Sequence, residues 1–303
     1  MSSSRTFPYS ATELDQFRQG QRLAYEIAQV VESQLRVGMT EVEACTLIES
    51  AQTRHDVVQV FHHPFVWFGT RTLLGPDWAP AAGARRRAAA GFDPAASAFF
   101  PTETELDEGM PLILDLAPVV RGVSSDISYS CRVGANGLFD DLDRGLARIR
   151  TFLLEGVRAG ETLASLAREL DVLLGQRGWQ NCHRHYPERA LGHLVFPLAA
   201  DPDRPSPLPG FGAAAAEGLL AAGRAARGTR TSGPVWNDGP FADYPAAPGV
   251  WAVEPHIGRE DVGVKFEELL VVTENDAYWL DDALPHSQRW AAAGYSIEPL
   301  RSV

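Results

Sequence analysis

The stretch PLILDLAPVVRGVSSDISYSCRVG, residues 111–134, decides the fold. Leu112 to Val119 is apolar, Arg121-Gly122 is a turn signal, and Val123 to Val133 runs apolar again. Two such runs around a short turn predict a β-hairpin. Each arm carries an acid, Asp115 and Asp126, eleven residues apart. Antiparallel neighbours lie about 5 Å apart, so acids on opposite arms can grip the same pair of cations. Asp115 stands inside Leu112-Ile113-Leu114-Asp115-Leu116, where exposure is not expected. A buried carboxylate without a partner is expensive.

Three later pieces have the same character. They are Gly192-His193-Leu194, Val253-Glu254-Pro255 and Phe266-Glu267-Glu268, each in or beside an apolar, strand-like run. Taken alone, His193 reads more readily as a core histidine than as a ligand, and the pair of hairpin acids reads equally well as surface groups or as ligands. Taken together, four carboxylates and an imidazole would repel one another unless cations held them. Side chains alternate along a strand, so one of Glu267 and Glu268 is expected to point inward and the other outward.

The rest of the chain frames these pieces. Residues 11–36 show helical spacing of apolar positions and end at Gly38. Thr40 and Glu43 form a capping box for a second helix. Val57 to Phe61 is a strand candidate, followed by His62-His63-Pro64. Residues 140–158 and 162–177 read as two amphipathic helices. The C-terminal part is rich in strands: Val250–Glu254, Val264–Thr273 and Tyr278–Leu280, with turns at Gly258 and Asn275-Asp276. Two irregular insertions interrupt the pattern, at about 75–105 and 199–248, the second with a short helix at Ala213 to Ala226. Helix pair, hairpin, helix pair and sheet in that order predict an α+β fold. Residues 1–10 read as a tail, and 11–303 as one domain.

Bulk properties narrow the partners. A net charge of −12 argues against nucleic acid and anionic membranes, since both need a basic face. Cys45, Cys131 and Cys182 form no CxxC pair and read as free thiols in a reducing compartment. No signal peptide and no run of about 18 apolar residues is visible. The expected location is cytoplasmic.

In this order the motifs resemble the metallopeptidase family with the pita-bread fold, which includes methionine aminopeptidases, prolidases and aminopeptidase P. The resemblance spans about residues 12–282. It rests on a strand Asp with a Ser-Asp eleven residues on (Asp115, Asp126), a Gly-His (Gly192-His193), a Pro-Gly turn leading to Glu-Pro (Pro248-Gly249 to Glu254-Pro255), and an aromatic-Glu-acid strand ending in Val-Thr-Glu-Asn (Phe266-Glu267-Glu268 to Asn275). It implies a curved antiparallel sheet covered by helices, here without a large N-terminal domain. It implies Asp115, Asp126, His193, Glu254 and Glu267 as ligands of two divalent ions. An oxygen-rich set of this kind suits Mn, Fe, Co or Zn.

The resemblance further implies a catalytic His before the first Asp, for which His63 is the best match and His62 the competitor, and a proton-accepting Glu, Glu254. His62, Trp67, Trp251 and His256 are candidates for contact with substrate. The family's second His, a few residues after the Gly-His, has no counterpart in Leu194 to Asp201. The implied activity is amide hydrolysis of a short peptide or small molecule by an aminopeptidase or Xaa-Pro dipeptidase-like enzyme, with a homodimer suggested by the family. The alternatives are a repurposed member performing hydrolysis or lyase chemistry on a small molecule, as in a biosynthetic pathway, and a non-catalytic binding module.

Overall fold

A computed structural model describes residues 7–74, 99–199, 210–227 and 231–301. The expected hairpin lies at its centre. Strand β2 (Pro111–Leu116) pairs antiparallel with β5 (Ile127–Arg132) along its whole length. Between them the chain folds a smaller hairpin, β3 (Val119–Val120) and β4 (Val123–Ser124). Its turn residues Arg121 and Gly122 have φ of 52° and 79°, the left-handed pair that a two-residue turn of this hand requires. The two ladders keep one register, so they form the single expected hairpin, interrupted where Pro118 has no N–H to continue the ladder. The expected Val57–Phe61 strand is reduced to one bridge, Val60 to Pro118. On either side of that bridge Phe61 N donates to Ala117 O and Val119 N to Gln59 O.

Strand β1 (Phe65–Phe68) pairs with the free edge of β2, and β11 (Val262–Val272) pairs with the free edge of β5. β11 is the spine of the sheet. It also pairs with β9 (Gly249–Val253), β10 (His256–Arg259) and β12 (Ala277–Trp279). β7 (Gly192–Val195) pairs with β9, β8 (Val235–Trp236) with β7, and the short β6 (Gln180–Asn181) with β10. Every pairing among the described residues is antiparallel. The main path runs β1-β2-β5-β11-β9-β7-β8.

The turn expected at Gly258 falls two residues later, at Glu260 (φ 56°), and Gly258 lies inside β10. Its glycine serves packing: a Cβ there would stand 2.3 Å from Leu73 Cδ2.

Six α-helices occur among the described residues: α1 (Ala11–Glu32), α2 (Glu41–Arg54), α3 (Gly137–Arg158), α4 (Leu163–Gln176), α5 (Ala213–Ala226) and α6 (Pro285–Ala292). α1 stops short of the expected 36, and Leu35 N turns back onto Glu32 O. Both halves of the Thr40–Glu43 capping box form. α5 is the helix expected within the second insertion. Residues 75–98 of the first insertion, and 200–209 and 228–230 of the second, lie outside the described residues.

Two helical layers cover one face of the sheet. Ile27, Val31 and Ile48 from α1 and α2 share a core with Leu112, Leu114, Leu116 and Ile127. Leu146, Ile149, Leu166 and Leu170 from α3 and α4 share another with Val253, Phe266 and Leu270. Each such side chain contributes about 1.5–3 kcal/mol when buried. These residues alternate with the polar ones, so burying them directs the polar set to the opposite face. No helix among the described residues is long and apolar enough to cross a membrane.

Candidate metal centre

Strand register gathers the polar residues. Asp115 lies opposite Ser128, and Ser128 lies opposite Glu267. Directly opposed residues share a face, as do residues two apart. Asp126, two before Ser128, and Lys265, two before Glu267, therefore face the same way. The β11 pairing holds one register across the Glu254-Pro255 break, with Val253 opposite Glu268 and His256 opposite Lys265. That register sets Glu254 opposite Glu267. His193 opposes Ala252, and Ala252 opposes Leu269, two beyond Glu267. Gly192 permits the close approach of β7 to β9, since a Cβ there would lie 2.5 Å from Ala252 O.

The result is a buried polar cluster. Asp115, Asp126 and Glu267 are at most 3% exposed, Glu254 is 7% and His193 9%, so the last two mark its more open side. His193 Nε2 stands 3.2 Å from Asp126 Oδ2 and 3.7 Å from Glu267 Oε1. Two donors on one tetrahedral ion, each about 2.1 Å from it, lie roughly 3.4 Å apart. The Asp126–His193–Glu267 group thus has the chemistry and the spacing to hold a divalent ion. Its donor atoms all lie within 4.8 Å of one another.

The cluster also contains a cation of its own. Lys265, 2% exposed, stands with Nζ 2.8 Å from Asp115 Oδ2, 2.9 Å from Glu254 Oε2 and 3.0 Å from Glu267 Oε2. The Tyr186 ring centre lies 4.8 Å from the same nitrogen. Ser128 Oγ donates to Glu267 Oε2 at 3.1 Å. Lys265 is not among the residues expected at the centre, although its i, i+2 relation to Glu267 on a strand places both on one face.

The electrostatics reflect carboxyl groups crowded together out of water. Burial penalises the Lys265 ammonium, yet Asp115, Glu254 and Glu267 raise its pKa well above the ordinary value. Burial, with the Asp126 charge, drives Glu267 well above the carboxylate range, against Lys265. Burial raises Glu254 as well, with Lys265 and His193 opposing. Burial also resists ionisation of Asp115 and Asp126, but Lys265 and His62 hold the first carboxyl low, and His62 and His193 the second. His62 and His193 are raised against burial, chiefly by Asp126. Four carboxyls thus share one ammonium and two imidazoles, and divalent cations among them would favour the charged form of Glu254 and Glu267.

The other candidates fall in different places. The histidine at the carboxylates is His62, with Nε2 2.9 Å from Asp126 Oδ1 and 3.2 Å from Asp115 Oδ1. His63, the expected catalytic residue, is exposed and lines a surface hollow with Cys45 and Glu49. A backbone bridge between His62 and Phe211 holds this segment extended, and successive side chains along it point opposite ways.

Trp251 does not contact the centre. It sits in the core beneath the sheet, one residue out of phase with Ala252, and its indole donates to Ala247 O. Trp67 is on the site's face but buried among Leu74, Ile113 and Tyr186, with its indole bound to Phe99 O. His256 forms a supporting layer behind Lys265. It is fully buried, with Nδ1 on Tyr186 OH at 2.8 Å and Nε2 on Thr72 O at 2.5 Å.

Glu268 points away from the centre, as alternation requires, but into the protein rather than into solvent. It is 0% exposed and bound by Arg150 and His286.

Comparison with known proteins agrees with this geometry. No curated protein sequence matches the chain. Among solved structures it is similar to an X-Pro aminopeptidase from Thermotoga maritima (18% identity, TM-score 0.61, covering 93% of this chain and 64% of that one). It is also similar to a prolidase from Pyrococcus horikoshii (15%, 0.59, 91% and 63%) and to an Xaa-Pro dipeptidase from Bacillus anthracis (16%, 0.56, 91% and 62%). At such identity the likeness establishes the fold, and the chain spans less than two thirds of these proteins' length. The model of metallopeptidase family M24 matches residues 15–274. That match takes in β2, β5, β7, β9 and β11 together with every acid and imidazole at the centre, and on it the chain belongs to metallopeptidase family M24.

Proposed function

We propose that this protein is a metal-dependent hydrolase that cleaves an amide bond, using two divalent ions held by a centre that includes Asp115, Asp126, His193, Glu254 and Glu267. The observation that carries this reading is the convergence of four buried carboxylates on one sheet face with a single ammonium among them. Divalent ions favour the charged carboxylates, lower the pKa of water and polarise a substrate carbonyl.

The chain's own residues have complementary tasks. Glu254, on the more open side, accepts the proton of the attacking water and passes it to the leaving nitrogen. Lys265 keeps Asp115, Glu254 and Glu267 in fixed positions through one hydrogen bond and two close ion pairs, so that little reorganisation remains when substrate binds. Phe65, stacked on His62 at 4.9 Å between ring centres, with Phe61 stacked on His193 at 5.0 Å, keeps water away from both imidazoles.

The similar solved structures are named for X-Pro and Xaa-Pro peptides, and an Xaa-Pro dipeptide is the first substrate to test. A second reading has an observation in its favour. A lysine seated among the carboxylates, together with the absence of a histidine between Leu194 and Ala199, favours a remodelled pocket acting on a small non-peptide amide. The experiment is a comparison of apo and Mn-, Co- or Zn-loaded protein on Xaa-Pro dipeptides, Met-peptides and simple N-acyl amino acids. Turnover of peptides that is abolished by chelation supports the first reading, and chelator-sensitive turnover of N-acyl compounds alone supports the second. Turnover unaffected by chelation contradicts both.

A further inference from the structure

We propose that His62 is a metal ligand, completing a second ion position with Asp115 and Asp126. The inference rests on the metal-hydrolase reading above and adds to the centre a donor outside the five expected from sequence.

The two imidazoles of the centre are arranged alike. His193 turns Nδ1 to Leu194 O at 3.2 Å and Nε2 to Asp126 Oδ2. His62 turns Nδ1 to His63 O at 2.7 Å and Nε2 to Asp126 Oδ1 at 2.9 Å. In each, the Nδ1 proton is donated to the carbonyl of the following residue. This is the usual second contact of a metal-binding histidine, and it directs the Nε2 lone pair at the ion. Asp126 thus offers one oxygen to each side.

Asp115 supplies the independent observation. Its Oδ2 is taken by Lys265. Its Oδ1 is buried, accepts no hydrogen bond, and lies 3.2 Å from His62 Nε2. A buried carboxylate oxygen facing an imidazole nitrogen needs a proton or a cation between them, and a divalent ion at this point would be reached by Asp115, Asp126 and His62 together. The donor atoms of His62, Asp115 and Asp126 also fall within 4.8 Å of one another. Lys265 explains why the imidazole is needed. By holding Glu267 Oε2 and Asp115 Oδ2 it withdraws two oxygens from that side of the cluster, and His62 replaces a donor there.

The test counts ions. The full-length chain is stripped with a chelator, reloaded with Co2+ or with Mn2+, passed through gel filtration and analysed by inductively coupled plasma mass spectrometry. Two ions per wild-type chain and one per His62→Ala chain are expected. In the Mn-loaded samples, the exchange-coupled paramagnetic resonance spectrum of a pair should give way to that of an isolated ion. X-ray absorption of Co-loaded wild type needs no variant and should report one imidazole per cobalt, where a single ligating histidine shared by two ions gives half of one. Two ions retained in His62→Ala, half an imidazole per cobalt, or one ion in the wild type overturns the assignment while leaving a metal centre in place. That last outcome would mean that His62 meets the carboxylates with a proton. A wild type that takes up no ion overturns the functional reading as well.

Discussion

Replacing Glu268 with Gln should destabilise the protein without emptying the metal centre, whereas the same change at Glu267 should empty it. The two residues are chain neighbours on β11, yet one faces the carboxylate cluster and the other the helix layer. Glu268 is fully buried and accepts from Arg150 at 2.5 and 3.0 Å and from His286 at 3.2 Å. Breaking a buried ion pair costs about 3–5 kcal/mol. Arg150 keeps Asp282 at 3.1 Å and its place over the Trp279 ring, and Gln can still accept one hydrogen bond. We therefore expect the low end, about 3 kcal/mol, or a fall of roughly 6 °C in Tm for a chain of this size.

The pH dependence follows from the direction of the Glu268 shift. Burial raises its pKa, but Arg150 and His286 more than offset that and hold it below the ordinary 4.5. A carboxyl with a lowered folded pKa contributes stability that is fully present above the unfolded value and is lost as pH falls through the folded one. The gap between wild type and Glu268→Gln should thus be constant above about pH 5.5 and close in acid. Urea unfolding followed by tryptophan fluorescence at several pH values measures the gap, and metal analysis of the folded variant measures the centre. A gap under 0.5 kcal/mol (within the range of surface substitutions), or one that widens in acid, would refute the reasoning.

Three further outcomes are expected. Asp126→Asn, which removes charge from the residue shared by both imidazoles, should bind divalent metal at least about 100-fold more weakly in calorimetric titration. His63→Ala, by contrast, should keep turnover within about twofold of wild type, since its side chain is exposed and away from the cluster; a large loss of rate would restore the catalytic role expected from sequence. Glu41→Ala should cost about 3 kcal/mol in urea unfolding, because this fully buried carboxylate binds Phe68 N, Arg71 and Thr102 together on both sides of residues 75–98.

Much of the fold was legible in the sequence because periodicity and turn chemistry act locally. Arg121-Gly122 marked a turn, Thr40 and Glu43 a helix start, and Ala213 to Ala226 a helix, and the backbone obeys each. The acids of the centre were legible for another reason: each interrupts an apolar run, where an acid is costly without a partner. What escaped depended on long-range contacts. His62 and His63 are indistinguishable in sequence, and the choice between them is made by Phe211, about 150 residues on. Trp251 lies beside a site segment but one residue out of phase, so proximity along the chain misplaced it. Glu268 pointed away from the centre as alternation required, but the helix layer that buries it comes from α3 and α6. Lys265 is in phase with Glu267, but a lysine on a strand carries no metal-ligand signal of its own, and only the folded sheet shows the carboxylates around it.

The central claim is that these carboxylates gather around divalent ions. Anomalous diffraction from crystals of the full chain grown with Mn2+ or Co2+, recorded at the metal's absorption edge, tests it most directly. The account predicts a peak about 2.0–2.3 Å from Asp126 Oδ2, His193 Nε2 and Glu267 Oε1. Peaks confined to the protein surface at saturating metal, with the cluster empty around Lys265, would contradict it.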